Sequence, residues 1–203
     1  MHVFHYHLVT SKVRLVEARY IGKMGFELIA RYGWLGDETH WFQPGTSWEE
    51  LDEMSFRLRL IELGRGAVNV VLQPGHWERP RLDHLGIALD ESGYLSVLER
   101  AVDLDLKVQD HPGKRTFIVT PAGYRLEVHP PREWIEQTVA AREELNLAEL
   151  HLRADDPHAK AAALAELLEL DRDGASVEVG DTVIRFLPGG PEGRPELAAE
   201  VLR

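Results

Sequence analysis

The chain has 203 residues, 44% hydrophobic and 28% charged, which suits one large domain or two small ones with a buried core. Its formal net charge of -11 argues against a nucleic-acid partner, because a phosphate backbone calls for Lys and Arg. The absence of cysteine excludes disulfides, iron–sulfur clusters, thiolate sites and cysteine nucleophiles, so any metal must be held by nitrogen and oxygen. No apolar run approaches the roughly 20 residues needed to span a bilayer. Met1–Thr10 lacks the apolar core of a signal peptide, and a cytoplasmic protein is expected.

Internal repetition organises the rest. His2–Thr10 alternates like a strand, and Lys12–Met24 reads as a helix stopped by Gly25. Strands are expected at Phe26–Trp34, Ser55–Leu63 and Ala67–Gln73. Leu35–Glu53 is read as a long loop carrying His40, Trp41, Phe42 and Trp48, either a lid or a small satellite cluster. A second unit opens at Arg81–Asp90, where Leu85, Ile87 and Leu89 point one way and His84, Gly86 and Ala88 the other. Small residues beside His84 leave room for a cavity. A helix over Glu91–Leu106 follows, then short strands at Lys107–His111 and Arg115–Thr120, a turn at Pro121–Gly123 and a closing strand at Tyr124–Pro130. Arg132–Leu145 reads as a linker helix with Trp134 as packing anchor. The third, shorter unit has strands at Ala148–Ala154, Ser176–Val179 and Thr182–Leu187, a helix over Pro157–Leu170, and a terminal helical turn at Glu196–Arg203.

The three units align. Matching the polar residues Ser11, Asp90 and Asp155 after the opening strands brings His5, His84 and Glu149 into register. Matching Pro74, Pro130 and Pro188 after the closing strands does the same for Val71, Glu127 and Arg185. The expected domains are residues 1–75, 76–131 and 132–203. The fold class is α+β, with two paired βαβββ modules and a shortened third.

A repeated βαβββ unit with histidine on its first strand and glutamate on its last resembles the vicinal oxygen chelate superfamily, which includes glyoxalase I, bleomycin-resistance proteins and extradiol dioxygenases. The resemblance implies that two units form a cup into which metal ligands project. The family's four ligand positions fall on His5, Val71, His84 and Glu127, and valine cannot ligate. Two histidines and a carboxylate remain, a set suited to non-haem Fe(II) with open coordination positions. The stretch from Phe117 through Thr120, Pro121 and Gly123 to Glu127 is similar to a dioxygenase motif, with phenylalanine where that branch usually carries tyrosine.

The resemblance therefore implies His5, His84 and Glu127 as ligands of one divalent metal, Fe(II) favoured, with Mn, Zn, Ni or Co as alternatives. His7 shares a face with His5, about 7 Å along the strand. Either can be the ligand, and the repeat alignment selects His5. His7, His111 and His129 are the candidate proton-handling residues, with His129 expected at the cup's edge. Glu149 and Arg185 suit a salt bridge rather than a metal site. The implied function is an extradiol-type dioxygenase acting on a small substrate with two neighbouring oxygens. A glyoxalase-type isomerase, lyase or epimerase, or a non-catalytic binding protein, are the alternatives. A homodimer is expected, formed by sheet extension or by docking of the third unit over the other subunit's cup.

Overall fold

The computed structural model describes residues 1–111, 115–140 and 145–203, with backbone only at 138–140. Part of the expected linker helix, 141–144, lies outside the described residues. No helix among the described residues is long and apolar enough to cross a membrane.

The chain forms β1 (His2–Thr10), α1 (Val13–Met24), β2 (Glu27–Leu35), β3 (Glu38–Phe42), α2 (Trp48–Glu53), β4 (Arg57–Arg65) and β5 (Val68–Pro74). It continues with β6 (Arg81–Ala88), α3 (Glu91–Asp103), β7 (Val108–His111), β8 (Arg115–Val119), β9 (Arg125–His129) and α4 (Glu133–Ala140). The last stretch holds β10 (Leu147–Arg153), α5 (Pro157–Leu168), β11 (Arg172–Asp173), β12 (Ser176–Val179), β13 (Thr182–Leu187) and β14 (Glu196–Leu202). Local chemistry sets several helix starts. The side chains of Asp90 and Asp156 accept from Gly93 N and Ala159 N, and Ser47 and Glu50 close a reciprocal capping box on α2.

Each unit wraps its opening strand in parallel against its closing strand. The pairs are β1 with β5, β6 with β9, and β10 with β13. The registers match: His5 faces Asn69, His84 faces Arg125 and Glu149 faces Val183. Two residues on, His7 faces Val71, Gly86 faces Glu127 and His151 faces Arg185. The first two units join through the antiparallel pairing of β1 with β6. One apolar core runs beneath all three units, from Tyr6, Leu8, Leu85 and Ile87 to Leu150, Leu164 and Ile184. The other face of the β1–β6 region is the concave one.

Two expectations need correction. Leu35–Glu53 is not a loop: Gly36 turns the chain at a φ of 58°, β3 pairs back on β2, and α2 follows. Phe42 packs edge-on against Phe56 at 5.1 Å, Trp41 is exposed, and β3 contributes nothing to the cavity among the described residues, so this is a satellite cluster rather than a lid. Nor is Glu196–Arg203 a helical turn. Its Ala, Glu and Leu are good helix formers, but as β14 it pairs antiparallel with β10, and Leu197 N donates to Pro80 O beside β6. Its Glu200 side chain receives hydrogen bonds from Tyr20 and Arg19 of α1, which tie the strand to the first unit.

The register of β10 with β14 repeats that of β1 with β6, irregularities included. Glu149, His151 and Ala199 occupy the places of His5, His7 and His84. Arg185 lies 3.9 Å from Glu149, whose closer partner is His151 at 2.5 Å. The second and third units also meet where Gly123, at a φ of 86°, packs against the backbone of Gly193. A Cβ there would strike the Gly193 carbonyl. Gly123→Ala should therefore cost about 1–3 kcal/mol; urea unfolding that leaves stability unchanged would contradict this packing.

Candidate metal centre

Alternation in a strand places every second side chain on one face. Three irregularities in the ladders break that rule on the concave face. Between Val3/Ile87 and His5/Gly86 the extra residue is Phe4, and between His7/His84 and Leu8/Leu82 it is Asp83. Between Tyr32/Leu60 and Gly33/Leu58 it is Arg59. A bulge re-aims a side chain without disturbing the core-facing set. Val3, Leu82 and Leu58 still meet the core, while Phe4 and Arg59 join His5 and Leu60 in lining a cavity of about 610 Å³.

His5, His7, His84 and Glu127 all line this cavity and are all buried. The His5 Nε2 to His84 Nε2 distance is 3.1 Å, and His84 Nε2 lies 3.0 Å from Glu127 Oε2. Ring nitrogens of His5, His7 and His84 fall within 4.8 Å of one another. Of the proton-handling candidates, His111 is exposed at the cavity wall. His129 is buried rather than at the edge, and its Nε2 donates to Glu127 Oε1 at 2.8 Å. Trp134 of α4 packs edge-on against His129 and Phe4 at 5.5 and 6.1 Å.

The outer nitrogens show what the inner ones do. His84 Nδ1 lies 2.8 Å from Asp83 Oδ2, so it donates, and Nε2 of the neutral ring carries a lone pair. Glu62 accepts from Asn69 Nδ2 at 3.0 Å and from Tyr32 at 3.2 Å. That orients the Asn69 amide with its oxygen toward His5, whose Nδ1 donates to it at 2.7 Å. His5 Nε2 therefore also carries a lone pair. His84 Nε2 thus faces two further acceptors, His5 Nε2 and Glu127 Oε2, and each close pair repels unless a cation lies beside it. A proton on His84 Nε2 serves the nearest pairs; a divalent ion serves all three. Two donors about 2.1 Å from one ion and at right angles are roughly 3.0 Å apart, which is the spacing seen. The residues present fit a divalent cation.

Electrostatics agree. Burial, then the adjacent His84 ring, pushes His5 down to about 4, and burial likewise drives His7 well below the usual imidazole range. Burial opposes the charge on Glu127, yet the hydrogen bond from His129 and the neighbouring imidazoles hold its carboxyl well below the usual range. Asp83 is also held low, against its burial, by His84 and Arg125.

Sequence reasoning missed the residues that orient these candidate ligands. Asn69, Glu62 and Tyr32 set His5; Asp83 sets His84. Asp83 is clamped in turn by Arg125 and by Arg194, whose Nη2 lies 2.7 Å from Oδ1. Arg194 belongs to the third unit, which therefore braces the centre. Gly86 has a different reason from the one expected. A Cβ there would lie 2.7 Å from His5 Cβ, so its smallness lets β1 bring His5 close rather than opening space.

With the geometry described, comparison with known proteins identifies the fold. No protein-family model matches the sequence, and no curated protein does. Among solved structures, the chain is similar to a mutant of 4-hydroxymandelate synthase from Streptomyces coelicolor, with a TM-score of 0.60 and 11% identity over 92% of this chain and 62% of that one. It is similar to the Mn(II)-bound glyoxalase from Novosphingobium aromaticivorans, with a TM-score of 0.55 and 14% identity over 97% and 63%. It is also similar to a catechol 2,3-dioxygenase, with a TM-score of 0.56 and 14% identity over 96% and 69%. The fold is that of the vicinal oxygen chelate superfamily. The chain spans 62% and 63% of the synthase and the glyoxalase.

Two outcomes are expected of this candidate centre. Asp83→Asn weakens the acceptor that fixes the His84 tautomer and should lower metal affinity about 10–100-fold, whereas His84→Ala and Glu127→Ala should abolish binding; metal titration ranks them. The second concerns acid. Because the folded value for His5 is about 4 and the unfolded value 6.5, the unfolded chain binds the extra proton between them. Stability of the metal-free protein should therefore be full above 6.5 and fall by up to about 3 kcal/mol toward pH 4 through this group. The slope should shrink in His5→Leu, as chemical unfolding across that range will report.

Proposed function

We propose that the protein is a metal-dependent enzyme of the dioxygenase branch, holding one divalent metal through His5, His84 and Glu127 and acting on a small substrate with two neighbouring oxygens. The observation that carries this reading is that His84 Nε2 lies 3.1 Å from His5 Nε2 and 3.0 Å from Glu127 Oε2, with the outer nitrogen of each ring tied to a side-chain oxygen. Fe(II) is favoured because two histidines and a carboxylate leave open positions for a chelating substrate and dioxygen. When bound, the metal would polarise the substrate oxygens and fix their orientation.

The protein's own residues supply the remainder. Phe4, Phe117 and Trp134 give the cavity apolar walls. Phe117 sits edge-on to His84 at 5.1 Å, where it limits water without offering a hydroxyl. His7 is placed to hold a proton: its ring centroid lies 4.6 Å from that of His84, and its buried Nε2 has no hydrogen-bond partner. His129 keeps Glu127 oriented through Nε2, leaving Nδ1 without a partner.

The unpartnered His7 nitrogen also favours a second reading. A protein base beside the centre suits isomerisation or epimerisation on the same metal. Anaerobic purification with elemental analysis, followed by oxygen uptake on catechols, separates the two. Near-stoichiometric iron with oxygen consumption is expected; full occupancy by another divalent metal with no oxygen consumption would overturn the dioxygenase reading. His7→Ala should retain metal while lowering turnover. Its loss of metal, with metal retained in His5→Ala, would move the ligand assignment from His5 to His7.

A further inference from the structure

In a chain whose net charge is -11, the cavity is lined by three arginines against two glutamates. Arg59, Arg115 and Arg125 all line it. Arg125 is bound to Asp83. The side chains of Arg59 and Arg115 have neither an ion pair nor a hydrogen bond among the described residues; that of Arg115 lies over the Phe117 ring, at 5.4 Å. The carboxylates of the lining are not paired with them: Glu62 accepts from Asn69 and Tyr32, and Glu127 accepts from His129 and faces His84 at the candidate metal site.

The placement of these guanidinium groups is built in. Arg59 is the bulged residue of β4; regular alternation would have turned it toward the core, with Ile61 and Leu63. Arg115 opens β8, opposite His111 of β7. One comes from the first unit and the other from the second, so a ligand seated between the units meets both. A guanidinium presents a planar fork of donors that matches the oxygens of a carboxylate or phosphoryl group. Two such forks would be left without acceptors by a neutral ligand.

We propose that the ligand of this cup is an acid: a compound that carries an oxyanion, carboxylate or phosphoryl, in addition to its two neighbouring oxygens, with Arg59 and Arg115 receiving the oxyanion. This deepens the function proposed above and rests on its metal-chelation reading. The two arginines are specificity-determining, and they take no part in holding the metal.

The test compares ligands with the same chelating group and different charge. Calorimetry at low ionic strength on Mn(II)-loaded protein, kept anaerobic, would measure 3,4-dihydroxybenzoate, 3,4-dihydroxyphenylphosphonate and the neutral methyl ester of the first. At least one acid should bind tenfold or more tightly than the ester, and the tighter acid names the oxyanion. The preference should shrink with added salt. The double variant Arg59→Gln, Arg115→Gln should keep its metal and its affinity for the ester while losing the preference. Equal binding of acids and ester, or a preference that survives in the double variant, overturns the oxyanion assignment and leaves the chelate reading intact. Failure of all three compounds to bind protein that holds its metal overturns the chelate reading and this inference with it.

Discussion

Strands β1 and β6 come from different units and run antiparallel, so His7 faces His84 and His5 faces Gly86. Everything at the centre depends on that ladder. It brings histidines separated by 79 positions to within 3.1 Å, and the parallel pairing of β9 with β6 then delivers Glu127 from the other side. The absence of a side chain at Gly86 is a condition of the approach, because a Cβ there would press on His5. The core face of the same strands, with Tyr6, Leu8, Leu85 and Ile87, holds the register by burial. A slip of one residue would bury the imidazoles in the core and expose the aliphatic set.

Lone-pair repulsion at the centre would favour ring flips or tautomer exchange if the rings were free. They are not. Asp83 on one side, and Asn69 with Glu62 and Tyr32 on the other, direct both inner nitrogens to a common point. The cost of burying Asp83 is offset by His84, Arg125 and Arg194, and the last of these couples the third unit to a centre it does not line. A carboxylate with three cationic or donor partners can stay ionised when buried; a lone one would take up a proton instead.

The third unit shows how little of the scaffold's geometry specifies the candidate centre. Its β10–β14 ladder copies the β1–β6 ladder, yet presents Glu149, His151 and Ala199 at the corresponding places. Glu149 is satisfied by His151 and Arg185, and Ala199 offers no donor. The same backbone thus carries a converging set of acceptors in one place and a closed ion cluster in the other. The difference lies in side chains alone.

The repeat, the strand alternation and the places of His5, His84 and Glu127 could be read from the sequence, because alternation and strand-ending prolines are local properties. Aligning three copies put the opening and closing strands in the registers that the structure has; the Ser47–Glu50 capping box that starts α2 is equally local, although that segment reads as loop by its length and composition. What only the tertiary structure decided depends on pairing between distant strands. Bulges at Phe4, Asp83 and Arg59 arise because a partner strand has one residue fewer, which no single strand records. They place Asp83 beside His84 and Arg59 in the cup. The Asn69 contact with His5 follows from inter-strand register, and the identity of β14 follows from the edge that β10 offered to a segment rich in helix formers. Sequence sets which side chains are available on each strand. The ladders between strands set which of them meet, because a hydrogen-bonded register fixes neighbours across the sheet that lie far apart along the chain.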